Sequence, residues 1–245
     1  MDLSAEALTN LTAELYGRLR EKAASAWLPH PLRFWNFIPR ILEPMEKATS
    51  RYMVFNAGRH RALRNWFSGL APFETSLPTA TGVGHPGHTL HVYCLIGERK
   101  GTPTENPRQR PAYRYSSRYG PFPPCFARAT LIDWNETTRL LIGGTASVRG
   151  EASVHVGSVE RQLEEVFKNL ASLLDDAIPS RGKRDVAWRI DELRTYFVRA
   201  EDKDLIRAAV AERFPGQPPM EMVQAELCRP ELLVEIEGIA SFRRR

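Results

Sequence analysis

The chain has 245 residues, 42% hydrophobic and 26% charged, the usage of an ordinary globular protein with room for one large or two small domains. Its formal net charge is +5, of which Arg243, Arg244 and Arg245 supply three at the C-terminus, so the body is only mildly basic. These figures exclude a charged disordered tail protein and a collagen-like or low-complexity chain, and they give nucleic-acid binding little support. Cys94, Cys125 and Cys228 lie far apart with no CxxC pair. That pattern suggests neither a disulfide framework nor a zinc knuckle, and a reducing, cytoplasmic setting is expected. Glu6, Glu14, Arg18, Arg20, Glu21 and Lys22 punctuate the first 26 residues, so no signal core is expected there. No stretch reaches the roughly 18 apolar residues of a membrane span.

Residues 4–26 begin with Ser4 and Glu6 and place Leu8, Leu11, Leu15 and Leu19 at three- and four-residue steps, the stripe of an amphipathic helix. Leu32 to Ile38, rich in aromatics between Pro31 and Pro39, reads as a buried strand. A second helix is expected over Glu46 to Phe67 and a strand over Leu90 to Ile96. Gly101 to Pro124, with six prolines and two glycines, reads as a long irregular segment and as the domain boundary. Beyond it, strands are expected at Cys125 to Ile132 and Arg139 to Ser147, a helix at Val156 to Ile178 and a strand at Leu193 to Arg199. A helix at Asp202 to Phe214 and strands at Met220 to Leu227 and Leu232 to Phe242 close the chain. The order ββαβαββ predicts a mixed sheet with two helices on one face, an α+β layer. The first half reads as helix, strand, helix, strand, strand, the later part of the same order. Element order therefore suggests a duplication whose first copy lacks its opening strands.

Three features can carry chemistry. In the closing strand, LLVEIEG, Glu235 and Glu237 are two apart and share one face, with Val234 and Ile236 on the other. A carboxyl withdrawn from water there has a raised pKa and serves as a general acid; the same alternation also describes a solvent-facing strand. The stretch PRQRPAYRYSSRYGPFPPCFARA, residues 107–129, interleaves Arg108, Arg110, Arg114, Arg118 and Arg128 with Tyr113, Tyr115, Tyr119, Phe122 and Phe126. Arginine forks and tyrosine hydroxyls on a stiff loop suit a small cyclic anion, or single-stranded nucleic acid, or merely anchor the loop. Gly143-Gly144-Thr145-Ala146-Ser147 is neither GxGxxG nor a phosphate loop, so its glycines point to close approach of a ligand or another backbone. His85, His88 and His91 stand at three-residue steps, a spacing that favours neither a helix face nor a strand face, and no metal is expected.

RFWNFIP (33–39), RYMVFNAGR (51–59), PRQRPAYRYSSRYGP (107–121), CFARAT (125–130), LIGGTASVRGEASVHVG (141–157) with Gln162 and Asn169, and ELCRPELLVEIEG (226–238) together resemble the chorismatase family, from about residue 28 to the end. The final part is also similar to the small RidA/YjgF proteins. The resemblance implies two RidA/YjgF-like, chorismate-mutase-like halves: an incomplete N-terminal domain at 1–100, a linker at 101–124 contributing to the site, and a catalytic domain at 125–245. It implies conversion of chorismate with release of pyruvate, without metal or organic cofactor. Glu235 matches the family's catalytic glutamate, and Arg108, Tyr113, Tyr115, Tyr119 and Arg128 would form the substrate clamp. Gly144 and Cys228 match positions that in the family accompany formation of 3-hydroxybenzoate, with Cys228 shaping or assisting that step. Family members carry a longer N-terminal part that completes the first sheet, so a homo-oligomer is expected here. Other readings remain open: a RidA-like enamine or imine deaminase, although Met220 stands where that family has its arginine, or a non-catalytic paralogue binding an aromatic acid.

Overall fold

The computed structural model describes residues 3–69, 72–134, 137–177 and 188–243. The first helix, α1 (Ala5–Ser25), starts where the Ser4 side chain accepts the Ala7 N–H. It is followed by β1 (His30–Pro39), α2 (Arg51–Trp66), β2 (Thr79–His85) and β3 (His91–Gly97). α2 is shorter than the spacing predicts: Glu46–Ala48 is a separate 3₁₀ turn, and Ser50 caps the helix by accepting the Met53 N–H. β1 pairs parallel with β2 and antiparallel with β3, giving the order β2-β1-β3. β2 is a Thr- and Gly-rich strand that hydrophobic alternation does not reveal. A Cβ at Gly84 would press on Ile41 and Glu226 at 2.7–2.8 Å, so the strand is threaded too tightly for larger side chains.

The second half contributes β4 (Thr102–Thr104), β5 (Ala129–Trp134), β6 (Thr137–Ala146), the short hairpin β7 (Val148–Arg149) and β8 (Ala152–Ser153), and α3 (Val159–Ala177). After the segment 178–187, which lies outside the described residues and includes the expected helix end at Ile178, come β9 (Arg189–Phe197), α4 (Lys203–Arg213), β10 (Met220–Gln224) and β11 (Val234–Arg243). The sheet runs β10-β9-β11-β6-β5-β4. β4, inside the stretch read as irregular, pairs with β5 as its edge strand. On α3, Val159, Leu163, Val166, Leu170, Leu173 and Ala177 make a buried stripe that packs with Ile206 and Val210 of α4 on Leu140, Ile142, Val234 and Ile236 of the sheet. Two helices thus cover one face of a mixed sheet, the α+β arrangement expected.

Both halves hold the same unit. β1-α2-β2 and β9-α4-β10 are parallel pairs crossed by a helix, and β3 and β11 each pair antiparallel with the first strand of their unit. β11 goes on to pair with β6, whereas β3 ends its sheet, with Tyr93 and Leu95 exposed. The face of β1 turned away from α1 and α2 meets the second half. Arg33 Nη2 lies 3.0 Å from Glu237 Oε2, and Trp35 Nε1 donates to Glu237 Oε1 at 3.1 Å.

Candidate active site

Beside that junction lies a cavity walled by α2, β1 and β2 on one side and by β6, β11 and the 109–128 segment on the other. Glu235 projects into it from β11, opposite Ala146 on one neighbour and Tyr196 on the other. The carboxyl is buried, 4% exposed. Burial, reinforced by the like charge of Glu237 and opposed by Arg128, pushes its pKa up to about 8. The two strand glutamates therefore face the same way with opposite fates. Glu237 is held by Arg33, Arg194 Nη1 (3.1 Å), Trp35 and the Tyr196 hydroxyl (3.3 Å), an ion-paired joint between the halves outside the cavity. The solvent-facing reading fails for both, because the first half covers this face of the sheet.

Gly144 sits against Glu235: a side-chain methyl there would overlap the carboxyl. Its backbone N–H donates to Thr81 Oγ1 at 3.0 Å, tying β6 to β2. Arg128 is 7% exposed; its Nη2 donates to Arg110 O (2.9 Å) and Tyr115 Oη (2.7 Å), while its Nε has no acceptor among the described residues. The Tyr115 and Tyr119 rings meet at 5.3 Å between centroids, tilted by 48°, and the Arg229 guanidinium lies 3.9 Å from the Tyr119 ring centroid. Arg229 is fixed by Glu151 O (2.8 Å) and Ser153 Oγ (3.1 Å), so the aromatic wall is clamped by the β7–β8 hairpin. Cys228 also lines the cavity; burial and the neighbouring Glu235 push its thiol up to about 12, so it is a neutral thiol and not a thiolate. Glu105, near Arg128, is raised to about 7 by burial.

A family model described as chorismatase FkbO/Hyg5-like, N-terminal, matches residues 2–96. The chain is 32% identical over 234 residues to a chorismatase of Streptomyces hygroscopicus, covering 94% of this chain and 67% of that one. The chain belongs to the chorismatase family. A 3-hydroxybenzoate synthase of Streptomyces hygroscopicus is 32% identical over 215 residues, covering 84% of this chain and 62% of that protein. A crystal structure of a chorismatase superposes with a TM-score of 0.84 at 31% identity, covering 94% of this chain and 70% of the other. The family match takes in α1, which the motif blocks, starting near residue 28, had left out.

Of the residues that resemblance to the chorismatases singled out, Glu235, Cys228, Gly144, Tyr115, Tyr119 and Arg128 meet at the cavity. Arg108 and Tyr113 do not line it. Arg108 turns to α3, where it pairs with Glu165 (2.5 Å) and donates to Asn169 Oδ1 (2.9 Å). Glu165 is fully buried, and the hydrogen bonds of Arg108 and Arg149 keep it ionised against that burial. Arg108 thus anchors the loop. Tyr113 packs, partly exposed, against the first half's core. Sequence reasoning missed Asn36, Tyr52, Arg59, Thr81 and Arg229. Asn36 accepts from Tyr16 (2.6 Å) and donates to Thr81 O (2.9 Å), fixing the cavity floor. For Arg59 a signal existed: it falls on the apolar stripe of α2 with Phe55, Ala62, Leu63 and Trp66, where a charge needs a reason. Among the described residues, no helix is long and apolar enough to cross a membrane.

Proposed function

We propose that this protein converts chorismate to pyruvate and 3-hydroxybenzoate, with Glu235 as the general acid. The observation that carries the reading is a cavity carboxyl only 4% exposed, its pKa pushed up to about 8 by burial, beside a guanidinium whose Nε has no acceptor among the described residues. Likeness to a chorismatase and a 3-hydroxybenzoate synthase, each 32% identical, supports the substrate and product.

Chorismate carries an enolpyruvyl ether, whose C–O bond to the ring is strong until the enol is protonated. Glu235 delivers its proton to the methylene carbon, leaving an oxocarbenium-like centre at the ether carbon. The ring C–O bond then breaks, its electron pair becoming the keto C=O of pyruvate. The neighbouring ring hydroxyl oxygen attacks the vacated carbon and returns its proton to the Glu235 carboxylate. Opening of the resulting three-membered ring and loss of a ring C–H proton to the opened oxygen aromatise the product. Pyruvate and 3-hydroxybenzoate together contain every atom of chorismate, so this route consumes no water and makes the enzyme a lyase rather than a hydrolase.

Arg128 holds the carboxylate of the enolpyruvyl arm. Arrival of that anion offsets the cation that otherwise lowers the pKa of Glu235, so substrate binding itself favours the acid form. Tyr115 and Tyr119 wall the ring, and Cys228, a neutral thiol, fills space where water would trap the ring cation. Residues 125–245 form the catalytic domain and 101–124 lend it side chains. The free edge of β3 supports a homo-oligomer, and three free cysteines support a cytoplasmic setting. Chorismate incubation with detection of both products tests the reading; a folded protein that releases no pyruvate contradicts it.

A further inference from the structure

The β7–β8 hairpin turns on two residues, Gly150 and Glu151, with Gly150 at φ +59°, the left-handed conformation that so tight a turn needs. Gly150 docks the turn on the loop that leads to the cavity: its N–H donates to Arg108 O (2.9 Å), and its O accepts the Arg110 N–H (2.8 Å). The Glu151 carboxylate reaches further along the same loop. Its Oε1 accepts the Ser116 hydroxyl (2.7 Å), and its Oε2 accepts the Ser116 N–H (3.0 Å) and Arg110 Nη1 (3.2 Å). The bonds from Ser116 hold the carboxyl below the usual glutamate range, so it is ionised. Because the Arg110 side chain is half-exposed, its ion pair adds little. The two charge-assisted bonds to Ser116 are the stronger hold.

Both protein acceptors of Arg128 Nη2 lie on the loop held in this way, Arg110 O at 2.9 Å and Tyr115 Oη at 2.7 Å, and Tyr115 directly precedes Ser116. Glu151 itself does not line the cavity. Resting on the proposed reaction, we infer that Glu151 is a positioning residue, which acts on the substrate through Arg128 by fixing the loop that aims it. The groups whose charge couples to Glu235 are Glu237 on its own strand, Arg128, Cys228, Tyr52 and Tyr196. Of the two charged ones, Arg128 is the one the loop holds. Loosening the loop therefore weakens both the grip on the reacting arm and the pull of the guanidinium on the acid. The Arg229 clamp on the aromatic wall is separate: it uses the Glu151 carbonyl, which survives any substitution of the side chain.

The test is a double-mutant cycle of Glu151→Ala and Arg128→Met with chorismate, with Glu151→Gln as the conservative variant. Glu151→Ala should lower kcat/KM about tenfold, as displacement of a substrate-holding group does, and should cost less than about twofold once Arg128 is already Met. Glu151→Gln, whose amide can accept the Ser116 N–H and donate to Ser116 Oγ, should recover most of the loss. The pH profile separates positioning from charge: removing an anion alone would lower the alkaline limb of kcat/KM, whereas release of Arg128 raises it. A second readout needs no turnover. The Arg128 Nε–H signal, identified in nuclear magnetic resonance spectra by its absence from Arg128→Met, should exchange with solvent faster in Glu151→Ala than in wild type. Independent losses in the cycle, an alkaline limb that moves down, or unchanged exchange at Arg128 overturns the assignment. The proposed reaction fails separately, if wild type forms no pyruvate from chorismate; the exchange at Arg128 then judges Glu151.

Discussion

Gly144 and Glu235 occupy one space: the cavity carboxyl lies where a side chain on β6 would begin. The glycine is required by this close approach and not by backbone conformation, since its φ is not in the left-handed region. Gly144→Ala should therefore keep the fold and displace the acid. Pyruvate release should drop about tenfold or more, as misplacement of a general acid by an ångström does. A crystal structure of the variant should show the Glu235 carboxyl moved, and unchanged kinetics would count against this placement.

Glu235 sets the pH dependence. Its folded value is about 8 against an ordinary 4.5, and the acid form is the active one, so kcat/KM should be flat below this range and fall as pH rises through about 8. The same shift acts on stability with a fixed sign. Between 4.5 and about 8 the folded state holds a proton the unfolded chain has released, so stability from this group falls as pH rises across that window. Glu235→Gln should remove the fall and melt higher than wild type at pH 9, by an amount on the order of a few kcal/mol. A variant with the wild-type slope of melting temperature against pH contradicts the assignment.

Arg108 should behave as a scaffold residue. Arg108→Met leaves Glu165 buried with Arg149 as its main remaining partner, and should lower stability by about 1–3 kcal/mol. With the fold intact at low temperature, the KM for chorismate should stay within about twofold. A KM rise without loss of melting temperature would return Arg108 to the substrate.

The route through attack by the ring hydroxyl takes its phenolic oxygen from chorismate. In water enriched with oxygen-18, 3-hydroxybenzoate should carry no label at the hydroxyl, as read by mass spectrometry before carboxyl exchange. Label at that position, or a dihydroxy-cyclohexadiene carboxylate as the main product, would place the enzyme on the hydrolytic branch.

What was legible in the sequence follows physical lines. β11 declares itself by alternation, and Glu235 and Glu237 share a face as period two demands, but burial of that face comes from the first half, over 190 residues earlier in the chain. Arg108 and Arg128 lie in one arginine- and tyrosine-rich stretch with nothing local to distinguish them. Their separate fates are decided by Glu165 on α3 and Tyr115 on the loop. Arg59 carried a local signal, a charge on the apolar stripe of α2, but its surroundings are set by Tyr16 and Phe34 from other elements of the first half. β2 was hidden because a strand of threonine and glycine, its glycines set against the side chains of Tyr52, Ile41 and Glu226, has no apolar alternation to show.

The most direct measurement is incubation of the purified protein with chorismate, following pyruvate through a coupled lactate dehydrogenase assay and the aromatic product by chromatography, with Glu235→Gln in parallel. The account predicts pyruvate and 3-hydroxybenzoate in equal amounts from wild type and a loss of at least about a hundredfold in the folded variant. Comparable turnover by Glu235→Gln, or a folded wild type that binds 3-hydroxybenzoate but releases no pyruvate, would contradict it.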